Sequence, residues 1–346
     1  MKAKDKWKLV AALLVIVVVL NWATFSDLWR NNKDKLTGSS VAELPEERHE
    51  STADAFVYFC PSDDCDGELI AWIDAAEEYV HCALFEVGLE NVRAKLVEKS
   101  SEVDVKLIVD NRYYDDVSEL DFARHDNRSS LMHNKFCVLD GKAVWTGSMN
   151  PTSRGAYHNN NNAVFYQSVL LADNYEAEFQ EMWSGTFGKG DRNDVTSFTI
   201  NNKTVEQYFC PEDWCANKLI YALNDAEESI YFMTFSFTHD EVGAAVLDRA
   251  TDGVVVRGVF EKSQNNKYTE KIKFDNAGLD VTWDGNSANM HHKVFIIDEK
   301  VVVTGSFNPS KNGDTRNDEN MLIIHDPAVA ALYVEEFERV WAEAQD

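Results

Sequence analysis

The sequence is poor in the residues that build stapled, fibrous or low-complexity proteins. Its 346 residues include six cysteines, six prolines and 16 glycines. Six cysteines are too few for a disulfide-dense scaffold in so long a chain, and the glycine and proline contents exclude collagen-like and low-complexity classes. Apolar residues make up 45% and aromatic residues 12%, so the chain can bury a sizeable core and is not mainly disordered.

Basic residues are also scarce. Lysines and arginines number 33 against 59 aspartates and glutamates, and the net charge is −26. Binding of nucleic acid or anionic lipid through bulk charge depends on neutralising phosphates with Lys and Arg, so the composition disfavours that mode. A local basic site remains compatible with this surface, which favours solubility.

A long apolar run lies near the start of the sequence. Residues 9–20 are all apolar, four lysines precede them, and Trp22 and Phe25 follow. This length is at the short limit for a membrane span, and it fits either a cleaved signal peptide or a retained signal anchor. No Ala-x-Ala pattern follows and the two aromatic residues suit a membrane interface, so we favour the anchor, with the body outside the cytoplasm.

Internal repetition dominates the rest of the sequence. Three pairs of segments match, namely residues 58–65 with 208–215, 132–135 with 290–293, and 147–151 with 305–309. Each copy is long enough to hold a core of its own. We therefore divide the chain into a transmembrane signal anchor at 1–25, a linker at 26–54, and repeats at 55–190 and 191–346.

Each repeat alternates strands and helices. In the first copy, strands are predicted at 56–59, 80–85, 103–109, 135–139 and 143–146, with helices at 68–79, at 92–99 and around Phe179 and Trp183. Asp140-Gly141 joins the last two strands as a hairpin. The predicted fold class is α/β, with two α/β/α sandwich repeats that have mixed sheets and pack with pseudo-two-fold symmetry.

Both repeats carry the motif His-x-Lys-x4-Asp-x6-Gly-Ser-x-Asn. The first copy supplies His133, Lys135, Asp140, Ser148 and Asn150, and the second supplies His291, Lys293, Asp298, Ser306 and Asn308. The His and Lys of each copy are two residues apart at a strand start, so they project from the same face. The same pattern at the same place in both repeats makes coincidence implausible.

These residue types suit phosphodiester cleavage, which needs a nucleophile, an acid for the leaving group and donors for the phosphoryl oxygens. Two imidazoles can supply the first two. The lysines supply positive charge, and the asparagines and serines supply donors that bind the substrate. The motif aspartates, Asp140 and Asp298, lie at strand ends, where we expect them to hold the turn more than to contact substrate.

The paired motif resembles that of the phospholipase D superfamily over about residues 55–345. The compact repeats are most similar to its small endonuclease-type branch, whose members have one motif per chain and dimerise, so this chain resembles a fused dimer. The resemblance implies attack by one His on a phosphodiester, a phosphohistidine intermediate, and no metal or other cofactor. It also implies that both half-sites lie in one chain, which can then function as a monomer.

One position differs between the copies. Glu319 in the second repeat corresponds to Asn161 in the first, and in the related endonucleases an acidic residue here holds the imidazole of its own motif. A carboxylate favours the protonated imidazole. We therefore expect His291, backed by Glu319, to be the general acid, and His133, backed by Asn161, to be the nucleophile. An impaired first half-site stays open, and residues 159–162 are otherwise interpreted as a capping or loop segment.

Four cysteines form two equivalent Cys-x4-Cys pairs, Cys60 with Cys65 and Cys210 with Cys215. In a body outside the cytoplasm these pairs predict two local disulfides. A single four-cysteine zinc site and free thiols remain as alternatives. The other two cysteines, Cys82 and Cys137, lie within apolar strands and are interpreted as core residues.

The substrate stays open between two classes. A nuclease acting on DNA or RNA is the leading hypothesis, because the repeats lack large insertions that could cradle a lipid. Loop cations are either its cleft residues or solvated charge: Arg112, Arg124, Arg128, Lys262, Lys267, Lys271 and Lys273. The alternative is a phospholipase D or phosphatidyl transferase of the cardiolipin-synthase kind, which the predicted anchor favours. A non-catalytic binding module is disfavoured by the intact motifs.

Overall fold

The computed structural model describes residues 49–51, 53 and 55–345. The predicted signal anchor and most of the predicted linker lie outside this part of the chain. Within it, no helix combines the length and the apolar character needed to span a bilayer.

Helices and strands alternate through both repeats, as predicted. The elements up to the end of the first repeat are β1 (His49–Glu50), β2 (Ala55–Cys60), α1 (Cys65–Ala75), β3 (Tyr79–Leu84), α2 (Glu90–Lys99), β4 (Asp104–Val109), β5 (Ala123–His125), β6 (Lys135–Leu139), β7 (Ala143–Gly147), α3 (Ser153–Tyr157), β8 (Asn161–Tyr166) and α4 (Val169–Trp183).

The second repeat follows the same order, with one additional strand at its start and one additional helix near its middle. Its elements are β9 (Ser197–Ile200), β10 (Lys203–Cys210), α5 (Cys215–Asn224), β11 (Ser229–Thr234), α6 (Asp240–Thr251), β12 (Val255–Phe260), α7 (Lys271–Ala277), β13 (Asp280–Trp283), β14 (Lys293–Ile297), β15 (Val301–Gly305), α8 (Lys311–Thr315), β16 (Glu319–His325) and α9 (Pro327–Glu343).

Each repeat is built on one mixed sheet, which confirms the predicted α/β class. The first sheet has seven strands in the order β2-β8-β7-β6-β3-β4-β5, and the second has nine in the order β1-β9-β10-β16-β15-β14-β11-β12-β13. In the first sheet β3 runs parallel to β4 and antiparallel to β6. Strand β1, from the end of the predicted linker, pairs with β9 of the second sheet.

The two repeats share a core between their sheets. Helices α4 and α9 contribute buried aromatic residues to one cluster that contains side chains of both repeats. Tyr175 of α4 meets Phe209 of the second repeat edge to face at 5.0 Å, and Tyr333 of α9 meets Phe59 of the first at 5.1 Å. Burying such large apolar surfaces stabilises the packed pair, so the repeats form one body.

Two glycines allow strands β7 and β15 to approach their neighbours closely. Gly147 has φ 138° and Gly305 has φ 136°, a region of backbone conformation that favours glycine. A Cβ atom at either position would collide with the main-chain oxygen of Asn162 or Asn320. The Gly of each motif is therefore required where β8 and β16 begin.

The structure contains three disulfides. Cys60–Cys65 and Cys210–Cys215 are bonded as predicted, which rules out the shared zinc site. The interpretation of Cys82 and Cys137 as core thiols was incomplete, because they also form a disulfide. These two residues are directly opposite each other on antiparallel strands β3 and β6, a register that an apolar pattern alone does not reveal.

The motif aspartates hold turns away from the histidines. The Asp140 carboxylate accepts main-chain N–H groups of Glu77, Glu78 and Tyr79 at 2.7 to 3.2 Å. Asp298 does the same for the equivalent residues of the second repeat. These contacts agree with the expected turn-holding role, and a part for the two aspartates in catalysis stays a prediction.

We predict that Asp140→Ala lowers the free energy of unfolding by about 1–2 kcal/mol, as loss of a capping carboxylate does. Partial burial raises the pKa of Asp140, but the three N–H donors together lower it below its ordinary value. The stabilisation is therefore complete above the ordinary aspartate pKa of about 4 and is lost as the pH falls through the lowered value. Urea denaturation at several pH values measures it.

The exposed Asp115→Ala is the matched control and should leave stability unchanged. Loss of activity in Asp140→Ala with full retention of stability would contradict the turn-holding role.

Candidate active site

The two His-x-Lys segments lie where the repeats exchange main-chain hydrogen bonds. The N–H of His133 donates to the carbonyl oxygen of Asp318 at 2.9 Å, and the N–H of His291 donates to that of Asn160 at 2.8 Å. Matching short bridges join Met132 to Asp318 and Asn160 to Met290. Each His-x-Lys segment is therefore fixed by the repeat that does not contain it.

Because of this exchange, the imidazole of each repeat pairs with a side chain of the opposite repeat. His133 Nδ1 lies 2.7 Å from Glu319 Oε2, and His291 Nδ1 lies 2.9 Å from Asn161 Oδ1. The predicted pairing within each motif was wrong, because β8 and β16 begin beside the histidine of the opposite repeat. Asn161 opens strand β8 and is fully buried, so the interpretation of residues 159–162 as a loop was also wrong there.

The two motif lysines are buried and similarly oriented. Lys135 Nζ donates to the carbonyl oxygen of His133 at 2.7 Å, and Lys293 Nζ donates to that of His291 at 2.7 Å. Each ammonium lies over a phenylalanine ring. The distance to the ring centroid is 5.1 Å from Lys135 to Phe85 and 5.0 Å from Lys293 to Phe235. Burial lowers the pKa of Lys135 to about 7, while Glu319 acts in the opposite direction.

Burial also controls the charge of the imidazoles. It lowers the pKa of His133 and of His291 well below the ordinary value, and the neighbouring lysines lower it further. Burial therefore favours the neutral form of both rings in the free protein, and a neutral imidazole has a lone pair on one nitrogen. Burial raises the pKa of Glu319 to about 7, although Lys135 opposes this shift.

The motif serines orient the residues that pair with the histidines, and each serine hydroxyl both donates and accepts a hydrogen bond within the protein. Ser306 Oγ donates to Glu319 Oε2 at 2.8 Å, and Ser148 Oγ donates to Asn161 Oδ1 at 3.0 Å. The same hydroxyls accept the N–H groups of Asn320 and Asn162. The expectation that these serines bind substrate is therefore replaced by a positioning role.

The motif asparagines remain available for substrate. The side-chain oxygens of Asn150 and Asn308 are buried, and neither has a hydrogen-bond partner among residues 49–51, 53 and 55–345. A buried amide oxygen without a partner is costly and calls for a donor, such as a substrate hydroxyl group, whereas phosphoryl oxygens could be bound only by the amide N–H groups. The geometry is consistent with the predicted substrate-binding role of both residues.

Two buried acidic residues near the site were missed from the sequence. Asp110 accepts the N–H of Met132 at 3.1 Å, and Glu261 accepts the N–H of Met290 at 2.7 Å. Each follows the last residue of a buried strand, β4 or β12. An acidic residue at the same place in both repeats is the signal that could have identified this support for the His-x-Lys segments.

A polar cavity of about 360 Å³ lies against the second motif. Asn308 and Phe235 line it, and the Phe235 ring contacts the His291 ring at 4.7 Å. Two arginines, Arg112 and Arg316, also line it, and the remaining lining residues are Ser129, Ser130, Leu131, Ser236, Gln264, Ser310, Asn312 and Asn317. The cavity therefore presents cations, amides and hydroxyls beside the apolar side chains of Leu131 and Phe235.

Most of the candidate loop cations are already bound to protein groups. Arg124 stacks on the Trp183 ring, and Arg128 is paired with Asp318. Lys271 pairs with Asp275 on its own helix, and Lys273 pairs with acidic residues. Of the predicted set, Arg112 lines this cavity, and the contacts of Arg124, Arg128, Lys271 and Lys273 favour the alternative interpretation as loop charge.

Comparisons with known proteins give matches to both repeats. The family described as "Cardiolipin synthase, PLD-like domain" matches residues 69–183 and 219–341. Phospholipase D of Rickettsia prowazekii is 31% identical over 137 residues, which is 39% of this chain and 67% of the relative. Mitochondrial cardiolipin hydrolase of Chlamydomonas reinhardtii is 33% identical over 120 residues, which is 34% of this chain and 54% of the relative.

A solved structure shares the fold over most of the chain. It is phosphatidylserine synthase of Haemophilus influenzae, which has a TM-score of 0.61 and 12% identity and covers 83% of this chain and 85% of that protein. The arrangement of two such sheets therefore occurs in a solved protein of similar extent.

We predict that the pKa of each histidine depends on its partner in the opposite repeat and is independent of the partner of the other histidine. Glu319→Gln should lower the pKa of His133 and leave that of His291 unchanged, because it removes a carboxylate acceptor from Nδ1. Asn161→Asp should raise the pKa of His291. Ring NMR signals recorded against pH measure both, with His325, which pairs with Glu206, as the internal reference.

A shift of His291 in the Glu319→Gln variant, with His133 unmoved, would contradict the crossed arrangement and restore pairing within each motif.

Proposed function

This chain belongs to the phospholipase D superfamily as a two-repeat phosphodiester hydrolase, and we propose that His133 and His291 carry its chemistry in unequal roles. The support is their unequal partners, a carboxyl group for one imidazole and a neutral amide for the other. Because Glu319 lies beside His133 and Asn161 beside His291, the reason for each role differs from the one expected from the sequence.

His133 is the proposed nucleophile. Its Nδ1–H donates to the Glu319 carboxylate, which leaves the lone pair of Nε2 for attack on phosphorus. A positive charge develops on the ring as the N–P bond forms, and an adjacent carboxylate stabilises that charge. The phosphohistidine therefore gains from Glu319 an interaction that a neutral partner could not provide.

His291 is the proposed general acid. An anionic phosphodiester between the motifs favours the imidazolium form, so the entering substrate supplies the charge that keeps a proton on Nε2. Asn161 holds Nδ1 without a formal charge, and the ring gives up its proton readily to the leaving oxygen as the P–O bond breaks. The neutral His291 then accepts a proton from the water or alcohol that attacks the phosphohistidine.

We predict different fates for the two histidine variants with bis(p-nitrophenyl) phosphate, whose leaving group needs no protonation. His291→Ala should release one equivalent of nitrophenolate rapidly and then stall, because the intermediate lacks its base. His133→Ala should show no burst, and its turnover should fall by about 10³-fold or more. Stopped-flow absorbance and phosphoprotein analysis measure these outcomes.

The exposed His158→Ala serves as the control with normal turnover. A burst in His133→Ala together with none in His291→Ala would reverse the two roles.

For the substrate, we propose a nucleic acid. The observation that supports it is the cavity beside the second motif, which Arg112, Arg316 and Asn308 line together with several hydroxyl and amide side chains. Arginines bind phosphate oxygens in pairs of hydrogen bonds, and amides and hydroxyls suit sugars and bases. A local pair of arginines also reconciles phosphate binding with a chain of net charge −26.

A phospholipid is the second candidate substrate. The relatives named phospholipase D and mitochondrial cardiolipin hydrolase favour it, and so does the signal anchor predicted at residues 1–25. An anchor would hold the body at a membrane, outside the cytoplasm, and would bring the site close to lipid. The anchor itself stays a prediction from the sequence.

We predict that the full-length chain cleaves single-stranded DNA or RNA in the presence of EDTA and that His291→Ala abolishes the cleavage. The double variant Arg112→Gln/Arg316→Gln should raise KM about tenfold or more and retain most of kcat, because it removes two phosphate contacts. The matched control is Arg124→Gln, because Arg124 stacks on Trp183 and does not line the cavity.

A parallel assay offers vesicles of cardiolipin and phosphatidylglycerol together with a primary alcohol. Formation of phosphatidyl alcohol without any cut in nucleic acid would refute the nuclease proposal in favour of the lipid candidate.

A further inference from the structure

Three glutamates meet on the side of the molecule where α4 ends and the turn after β10 begins. One carboxylate oxygen from each of Glu178, Glu181 and Glu212 lies within 4.8 Å of the other two. Glu178 and Glu181 come from the first repeat, and Glu212 comes from the second. None of the three belongs to the catalytic motifs.

Glu178 is buried in this cluster without a protein partner. Its side chain is 6% exposed, and the described part of the chain places no donor within hydrogen-bonding distance of its carboxyl group. Glu212 Oε2 is likewise buried and unpartnered within the same part of the chain. A buried carboxylate without a hydrogen bond or cation is strongly disfavoured, so these oxygens require a ligand or a proton.

The second repeat shows how the equivalent carboxylate is satisfied. Glu336 occupies on α9 the place of Glu178 on α4, and Arg339 occupies the place of Glu181. The Arg339 guanidinium donates to both Glu336 oxygens at 2.7 Å, and His292 Nε2 lies 3.1 Å from Glu336 Oε1. In the first repeat, a glutamate replaces that arginine and Asn134 replaces that histidine. The first repeat therefore has a carboxylate, that of Glu181, where the second repeat has the cation Arg339.

The surrounding charge is mostly negative. Burial raises the pKa of Glu178 well above its ordinary value, and Glu212, Asp318 and other acidic neighbours raise it further. Arg128 is a nearby cation whose terminal nitrogens donate to Asp318 and to the main-chain oxygen of Arg316, while its Nε has no hydrogen-bond partner among the described residues. Arg192 donates to the main-chain oxygen of Glu212 and stacks on Trp214, so neither arginine takes the place that Arg339 has in the second repeat.

We propose that Glu178, Glu181 and Glu212 bind a hard divalent cation, with Ca²⁺ as the preferred ion, at a site that joins the two repeats. Three carboxylates supply the oxygen ligands that Ca²⁺ prefers, and its flexible coordination lets water complete the shell. The ion takes the place that the Arg339 guanidinium has in the second repeat. The site is structural and separate from the histidines, so the chemistry proposed for them stays independent of it.

The test uses the full-length chain, freed of metal with EDTA and dialysed. Calorimetric titration with CaCl₂ should show one site, with tighter binding than MgCl₂, and saturating Ca²⁺ should raise Tm. Glu178→Gln should weaken Ca²⁺ binding at least tenfold and should not lower the Tm of the metal-free protein, because it removes a repelled charge. Glu335→Gln, on the opposite repeat's helix, is the control.

A second variant converts the site into its counterpart. Glu181→Arg should pair with Glu178 as Arg339 pairs with Glu336, so it should raise the Tm of the metal-free protein and abolish the response to Ca²⁺. Absence of binding to the wild type at millimolar Ca²⁺ would refute the proposal. An equal Ca²⁺-induced rise in Tm in wild type, Glu178→Gln and Glu181→Arg would refute it as well.

Discussion

The exchange of main-chain hydrogen bonds between the two repeats is the contact on which the site depends. His133 bonds to the backbone at Asp318, and His291 bonds to the backbone at Asn160. These bonds place the first residues of β8 and β16 against the opposite repeat. Glu319, the first residue of β16, therefore lies beside His133. Neither half-site is complete within its own repeat, so the site exists only where the two repeats are packed together.

Burial then influences the charge of the titratable residues in the site. Two lysines, two histidines and a glutamate are buried together, and each ionised group there is costly unless an opposite charge is near. An incoming phosphodiester supplies the negative charge that the lysines lack in the free protein. The acidic exterior is therefore no obstacle, because the groups that meet phosphate are hidden from it.

The sequence was sufficient for the repeats, the sheet class, the motif residues and two disulfides, because each leaves a local signal of spacing or periodicity. It was insufficient wherever residues distant along the chain meet. The partner of His133 is chosen by the crossing of strands, and the Cys82–Cys137 bond is chosen by the register of β3 and β6. Strand β8 was missed because it opens on two asparagines, whose polarity indicates a loop although both are buried.

Fusion into one chain has a consequence for how a substrate can be oriented. A homodimer must place the same residue beside both histidines, and it then accepts a phosphodiester equally well in either direction. Here position 319 is glutamate and position 161 is asparagine, so the two directions differ in energy. On the proposed roles, only one of the two ester oxygens faces the acid, and hydrolysis yields a single regioisomer of the product.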